Sequence, residues 1–242
     1  MYNNQGETTS PLVRTFVWSR KIRLFHWLNV LSVLLLIIIG TIIYFAKDIG
    51  ISTDGKILLK TIHVCVGYIF AANLIFRIML GFIGKGYERW EQTLPFSKAF
   101  NQELVDFKKD KNKAFKGHSP LGKLMVGAFM LSLSVQMVSG LVIAGTDIYY
   151  PPFGQYFASH IAQDKNQVEH IKPYSKKNVD AEAYKEVRSF RKPFITAHVY
   201  SFYFLLLLIP LHILAVFFAE RREKHSIVSS MIHGYKYLPK NK

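Results

Sequence analysis

Cysteine is almost absent from this chain: Cys65 is alone among 242 residues. One thiol cannot close an internal disulfide, and no C-x-x-C-H occurs, so a covalently attached c-type haem is excluded. Four-cysteine iron–sulfur and zinc sites are excluded as well. Any metal chemistry therefore falls to the nine histidines. Acidic residues are scarce, with Asp+Glu 16 against Lys+Arg 31 and a formal net charge of +15. Such an excess can signal nucleic acid, yet no basic segment is interleaved with stacking aromatics on a polar sheet or helix. Charge of either sign is missing from long stretches. The hydrophobic residues, 50% of the chain, collect in four blocks and leave most charges in the gaps. That pattern excludes a disordered chain and argues against an ordinary soluble enzyme. A membrane protein fits better, and it accounts for the basic excess, because cytoplasmic loops collect Lys and Arg.

From Leu24 to Ala46 no residue carries a formal charge, a run of 23 residues. At about 1.5 Å per residue such a helix spans about 34 Å, enough to cross a hydrocarbon core of ~30 Å. It is too long for a signal-peptide core and lacks a small-residue cleavage site. The second block, Ile57–Ile83, contains Lys60, which can snorkel at one end, and Arg77 near the other. The third is uncharged from Leu124 to Thr146, and the fourth from Pro193 to Ala219. The sequence thus predicts an all-α membrane protein, a four-transmembrane-helix bundle in a single domain over 1–242. Its helices are expected at about 24–46, 57–83, 121–146 and 193–219. The polar stretch 147–192, with Pro151-Pro152, is too hydrophilic to cross and is expected to form a folded excursion suited to docking. With the N-terminus cytoplasmic, the inside segments hold 19 basic residues and the outside segments 11. An N-in, C-in orientation follows, although Arg188, Arg191 and Lys192 beside the fourth helix run against it.

Four histidines lie in the apolar blocks: His26, His63, His198 and His212. Ionisable groups at membrane depth are costly and tend to face the bundle interior with a partner. Taken singly, each fits a structural histidine bonded to a neighbouring helix as well as a ligand. The spacing distinguishes them. His198 and His212 are fourteen residues apart, close to four helical turns, so both project from one face about 21 Å apart along the axis. Two groups so far apart need separate sites. Alternating helix direction then pairs His63 with His198 near the outer side and His26 with His212 near the inner side. A helix bundle holding a planar macrocycle between facing histidines is the natural occupant. Zinc fits less well, since two histidines without further ligands make a poor site. Gly40 and Gly67 would allow close approach of a macrocycle or of another helix.

At this point a family resemblance emerges. Arg23-Leu24-Phe25-His26-Trp27-Leu28 followed by Gly40, Thr61-Ile62-His63, and Arg77 with Gly81-Phe82-Ile83-Gly84 resemble the cytochrome b subunit of membrane-bound nickel–iron hydrogenases. So do Gly117-His118-Ser119-Pro120-Leu121, the His198/His212 spacing, and Ile227-Val228-Ser229-Ser230-Met231 with Gly234-Tyr235. The likeness runs from about Phe16 to Tyr237. The first-helix motif and the fourteen-residue spacing are shared with diheme b subunits of formate dehydrogenases and thiosulfate reductases. The glycine-flanked segments and the tail point more narrowly to hydrogenase. Val199 stands where the family usually has Arg or His.

The resemblance implies a diheme cytochrome of the bacterial inner membrane, with two haem b groups and His26, His63, His198 and His212 as iron ligands. It would anchor the small and large subunits of a periplasmic hydrogenase and pass their electrons to menaquinone or ubiquinone in a respiratory chain. Arg77 and Arg23 are the expected propionate contacts, and His118 with Ser119 the expected quinone site. A helix start with Pro120 near its first position explains that last segment equally. Trp18, Trp27 and Trp90 read as interface-belt residues, and His160, His170, His225 and His233 as ordinary loop histidines. The expected partners are lipid, quinone and the hydrogenase subunits, with no nucleic acid and the copy number of the complex open. Two alternatives of other classes are a stand-alone b561-type oxidoreductase and a haem-free transporter or channel.

Overall fold

A computed structural model describes residues 12–97, 99–110, 115–223 and 227–239. His225 lies outside the described residues. Strand β1 (Leu12–Phe16) precedes α1 (Arg20–Tyr44) and α2 (Thr53–Ile83), and the short helices α3 (Trp90–Thr93) and α4 (Phe100–Lys109) follow. Helices α5 (Pro120–Asp147), α6 (Gly154–Ile161), α7 (Ala181–Glu223) and α8 (Ile227–His233) lead to strand β2 (Tyr235–Pro239). Helices α1, α2, α5 and α7 are long and apolar enough to cross a membrane. Many of their large apolar side chains, among them Leu31, Ile38, Leu131 and Ile213, are exposed. A soluble fold would bury them, whereas in a bilayer they face lipid chains.

The described residues divide into two compact units. The first takes in the chain up to Leu24, Arg77–Ala128 and Ile209 to the end, and the second Phe25–Phe76 with Phe129–Leu208. In the first unit β1 and β2 pair antiparallel, with Leu12 opposite Pro239 and Phe16 opposite Tyr235. Gly234, at φ 92°, turns the chain from α8 into β2, a left-handed conformation that glycine adopts without cost. Its carbonyl accepts the N–H groups of Val17 and Trp18 at 2.9 and 3.1 Å. Trp18 is buried with Val17, Ile22 and Leu80, and its indole N–H donates to Ser230 Oγ at 3.2 Å. Trp18 is therefore a core residue and not part of an interface belt. Trp90, part-exposed, lies on Gly81, where any side chain would run into its ring. Trp27 remains exposed.

In the second unit, the excursion has its own core of Ala158, Ile161, Ile171, Val179 and Val187. Helix α7 begins a dozen residues before the expected boundary at Pro193. The Asp180 carboxylate caps it by accepting the Ala183 N–H at 2.8 Å, and Ala181–Lys192 is rich in good helix formers. A run without charge marks where a helix meets lipid, not where it starts.

Candidate functional site

His63 on α2 and His198 on α7 face each other with ring centroids 6.5 Å apart and planes crossing at 70°. A cavity of about 270 Å³ lies at this pair, walled by apolar residues such as Met137, Ala144, Val199 and Phe202. Each ring is backed by a glycine of another helix. A Cβ on Gly40 would lie 3.2 Å from His63 Cε1, and one on Gly140 3.3 Å from His198 Cε1. These glycines make room for the imidazoles themselves. Gly67, one turn beyond His63, faces open space: a Cβ there would meet nothing within 4 Å.

The hydrogen bonds around His198 fix its tautomer. Ser139 Oγ donates to the Val135 carbonyl at 2.5 Å. Its lone pair is then available to His198 Nδ1, 3.0 Å away, so Nδ1 carries the proton and Nε2 presents a free lone pair. Gln136 Nε2 donates to the His198 carbonyl at 3.1 Å and holds the helix backbone. A ligand histidine oriented through its remote nitrogen is a common arrangement at metal sites. Nδ1 of His63 is buried without a hydrogen-bond partner.

The pair fits a six-coordinate metal macrocycle. Metal–imidazole bonds of roughly 2 Å, with each ring centre about 1 Å behind its nitrogen, sum to about 6 Å between centroids, close to the observed separation. No group of three or more His, Cys, Asp or Glu suited to a bare metal ion occurs among the described residues.

Lys60 and Asp147 also line the cavity. Lys60 bonds Asp147 Oδ2 and the Tyr174 hydroxyl. Arg191 binds the other oxygen of Asp147 at 2.6 Å and donates to the Thr146 carbonyl at 2.9 Å. Burial, and then the Asp147 charge, push the Tyr174 hydroxyl above its ordinary range, so it remains a neutral donor.

The other expected residues fall elsewhere. His26, on α1 in the second unit, is part-buried, with its ring edge-on to Trp27 at 5.2 Å. His212, on α7, belongs to the first unit. Arg77 stacks on the Trp90 ring at 4.1 Å and donates to the Glu88 carbonyl at 3.0 Å, while Arg23 donates to the Ile232 carbonyl. Both guanidinium groups are thus engaged by protein, and Arg23 Nε is buried without a hydrogen-bond partner. His118 packs on Trp18 at 4.7 Å between ring centroids, and Lys236 donates to the Gly117 carbonyl at 2.8 Å. Burial, then Lys236, Arg77, Lys123 and His212, lower the His118 pKa to about 3. Ser119 caps α5, its Oγ accepting the Gly122 N–H at 3.2 Å. Of the histidines read as ordinary, His160 lies 3.7 Å from Glu186 and His233 accepts the Tyr235 N–H.

Ser139, Gln136, Gly140, Asp147 and Tyr174 are not singled out by the sequence. The adjacent polar and small residues Ser139-Gly140, placed mid-span in an apolar run, are the one available signal.

The family described as Prokaryotic cytochrome b561 matches residues 17–234. Among curated relatives, a probable Ni/Fe-hydrogenase B-type cytochrome subunit of Cupriavidus necator is 22% identical, covering 92% of this chain and 86% of the relative. The protein of that name from Rhizobium leguminosarum bv. viciae is 26% identical, covering 95% and 91%. The one from Bradyrhizobium diazoefficiens is 24% identical, covering 95% and 88%. No solved structure matches the chain.

Proposed function

The chain belongs to the prokaryotic cytochrome b561 family, and from that premise we propose that it is the diheme b-type cytochrome of a nickel–iron hydrogenase complex. In this reading it anchors the hydrogenase small and large subunits at the periplasmic face of the bacterial inner membrane, and hydrogen-derived electrons leave it to a membrane quinone. The family implies haem b, which supplies reversible one-electron chemistry when bound. His63 and His198 would hold one haem, and His26 and His212 are the histidines the resemblance offers as ligands of a second. The observation that carries the reading is the facing pair in the second unit, with its spacing, its glycine backing and the Ser139-fixed tautomer of His198.

The chain's residues have distinct tasks. Gly40 and Gly140 set the depth of the two imidazoles, and Ser139 keeps the Nε2 lone pair of His198 aimed away from its own helix. The apolar cavity wall excludes water, which would otherwise compete for the metal and dissipate the local field. His118, uncharged and packed against Trp18 with the ring planes tilted by 55°, is the proposed quinone contact, while Ser119 serves it by capping the helix that begins there. The folded excursion 147–192 is the proposed docking surface. Its independent core and cap at Asp180 let it keep its shape outside the bilayer.

The test is haem stoichiometry with partner capture. The purified complex should contain two b haems per chain and co-purify with both hydrogenase subunits. Replacing His63 or His198 by Ala should remove one low-spin haem and leave the other. Retention of two low-spin haems in both variants would reject the ligand assignment. Capture of formate dehydrogenase subunits instead would move the protein to a sister complex.

A further inference from the structure

We infer that Lys60 is the seat for a carboxylate of the group held by His63 and His198, with Asp147, anchored by Arg191, as its internal counter-ion. The inference rests on the haem reading of that histidine pair and adds a residue to it. Haem b carries two propionate carboxylates, and each needs a cation or water once the ring is buried. Among the described residues lining the cavity, Lys60 is the one Lys or Arg. It precedes His63 by three residues on α2, so it lies on the same helix face about 4.5 Å along the axis.

The charges around it do not cancel. Asp147 is bonded by both Lys60 and Arg191, so two cations share one carboxylate. The side chains are shielded, with relative exposures of 20% for Lys60, 11% for Asp147 and 10% for Arg191. A shielded cluster left with one excess positive charge is favourable only if an anion completes it. Lys60 is the member free to turn. Arg191 keeps its own bond to Asp147 and a second to the Thr146 carbonyl, so Asp147 stays paired when Lys60 takes up another carboxylate. The Tyr174 hydroxyl, also bonded to Asp147 at 3.2 Å, adds a neutral donor at the same place. Arg77 and Arg23, suggested by the resemblance as propionate contacts without assignment to a particular haem, belong to the first unit and do not line this cavity.

A cation held beside the haem favours the reduced state, which carries one more electron. The experiment is spectroelectrochemical titration of the purified full chain, with haem content measured in parallel. In Lys60→Met both haems should remain. The haem that His63→Ala removes should show about a tenfold lower ratio of reduced to oxidised form at a fixed potential, equivalent to 59 mV for a one-electron couple. Lys60→Arg should restore the ratio, and Asp147→Asn should move the same haem in the opposite direction. Unchanged ratios in Lys60→Met with both haems present would overturn the inference, as would a downward move in Asp147→Asn. Should Lys60→Met lose the haem, Lys60→Arg and Asp147→Asn decide. Retention with an upward move in Asp147→Asn upholds the seat, and no move overturns it. If His63→Ala leaves both low-spin haems in place, the ligand reading itself fails and the seat falls with it.

Discussion

His63 and His198 in the second unit and His118 in the first are all shielded histidines, but their neighbours differ. The pair looks across an apolar cavity, each ring has a glycine behind it, and the nearby charges gather around Asp147. His118 instead lies against an indole and feels Lys236, Arg77 and Lys123. A cationic metal centre would be repelled from that second setting, which suits a neutral or electron-rich ligand. The first setting leaves a lone pair aimed into dry space. The surroundings of a histidine, more than its burial, therefore indicate which role it can take.

The largest expected effect comes from removing a ligand of the pair. His198→Ala should stop hydrogen-driven quinone reduction in the intact complex and remove one low-spin haem. His118→Phe should leave both haem spectra intact while quinone reduction falls at least tenfold. Equal haem loss in both variants, read by pyridine haemochrome, would break the distinction.

Next in size is the space behind the rings. Gly140→Leu inserts an isobutyl group where even a Cβ would be 3.3 Å from His198 Cε1. The ring must move, and haem content should fall toward one per chain. Gly127, on the same helix but with only ordinary contacts around a Cβ, should accept Ala with no loss. Matching behaviour of the two variants in haem assays would contradict the ligand-depth role of Gly140.

Charge in the first unit comes next. Lys123 has a side chain 4% exposed and bonds Glu103 at 2.6 Å. Glu103→Ala strands that cation and should cost about 2–3 kcal/mol, visible as a lowered midpoint of thermal unfolding in detergent. Because Glu103 is part-exposed, Glu103→Gln should cost less. His118 adds an acid-labile component. Its folded pKa of about 3 lies below the ordinary histidine value of 6.5, so the unfolded chain binds the extra proton between those limits. Stability should thus decline as pH falls from 6.5 toward 3, by on the order of 1–2 kcal/mol at pH 5. Acid unfolding curves of wild type and His118→Gln that stay parallel over this range would contradict it.

The smallest expected effect is Ser139→Ala. It removes one hydrogen bond to His198 Nδ1, worth about 1 kcal/mol. Haem content should persist while the low-spin signal of that haem broadens or shifts. An unaltered spectrum would mean that the cavity walls alone orient the ring.

The spans and the facing of His63 and His198 were legible because both rest on local signals: a run without charge, and a histidine inside such a run. Residues whose meaning depends on a distant partner were not. Lys60 looks like a snorkelling lysine until Asp147, far along the chain, is found beside it. Arg191 runs against the charge rule for orientation, yet it is neutralised by that same carboxylate. Trp18 reads as a belt residue because nothing near it in sequence foretells Ser230 and Gly234. The early start of α7 was hidden because charged residues are good helix formers outside lipid, and hydropathy reports the solvent, not the conformation. Gly140 showed only as a small residue in an apolar span, with nothing to indicate that an imidazole needed the room.

In the ladder of β1 and β2, Thr15 pairs with Lys236, and the four long apolar helices found among the described residues lie between them. Backbone hydrogen bonds cannot form through a bilayer, so this ladder can close only if the chain crosses an even number of times. An insertion that omits one crossing leaves the two strands in different compartments, each with an unpaired edge. Strand β2, which follows the four apolar helices, thus acts as a parity check on the crossings that precede it.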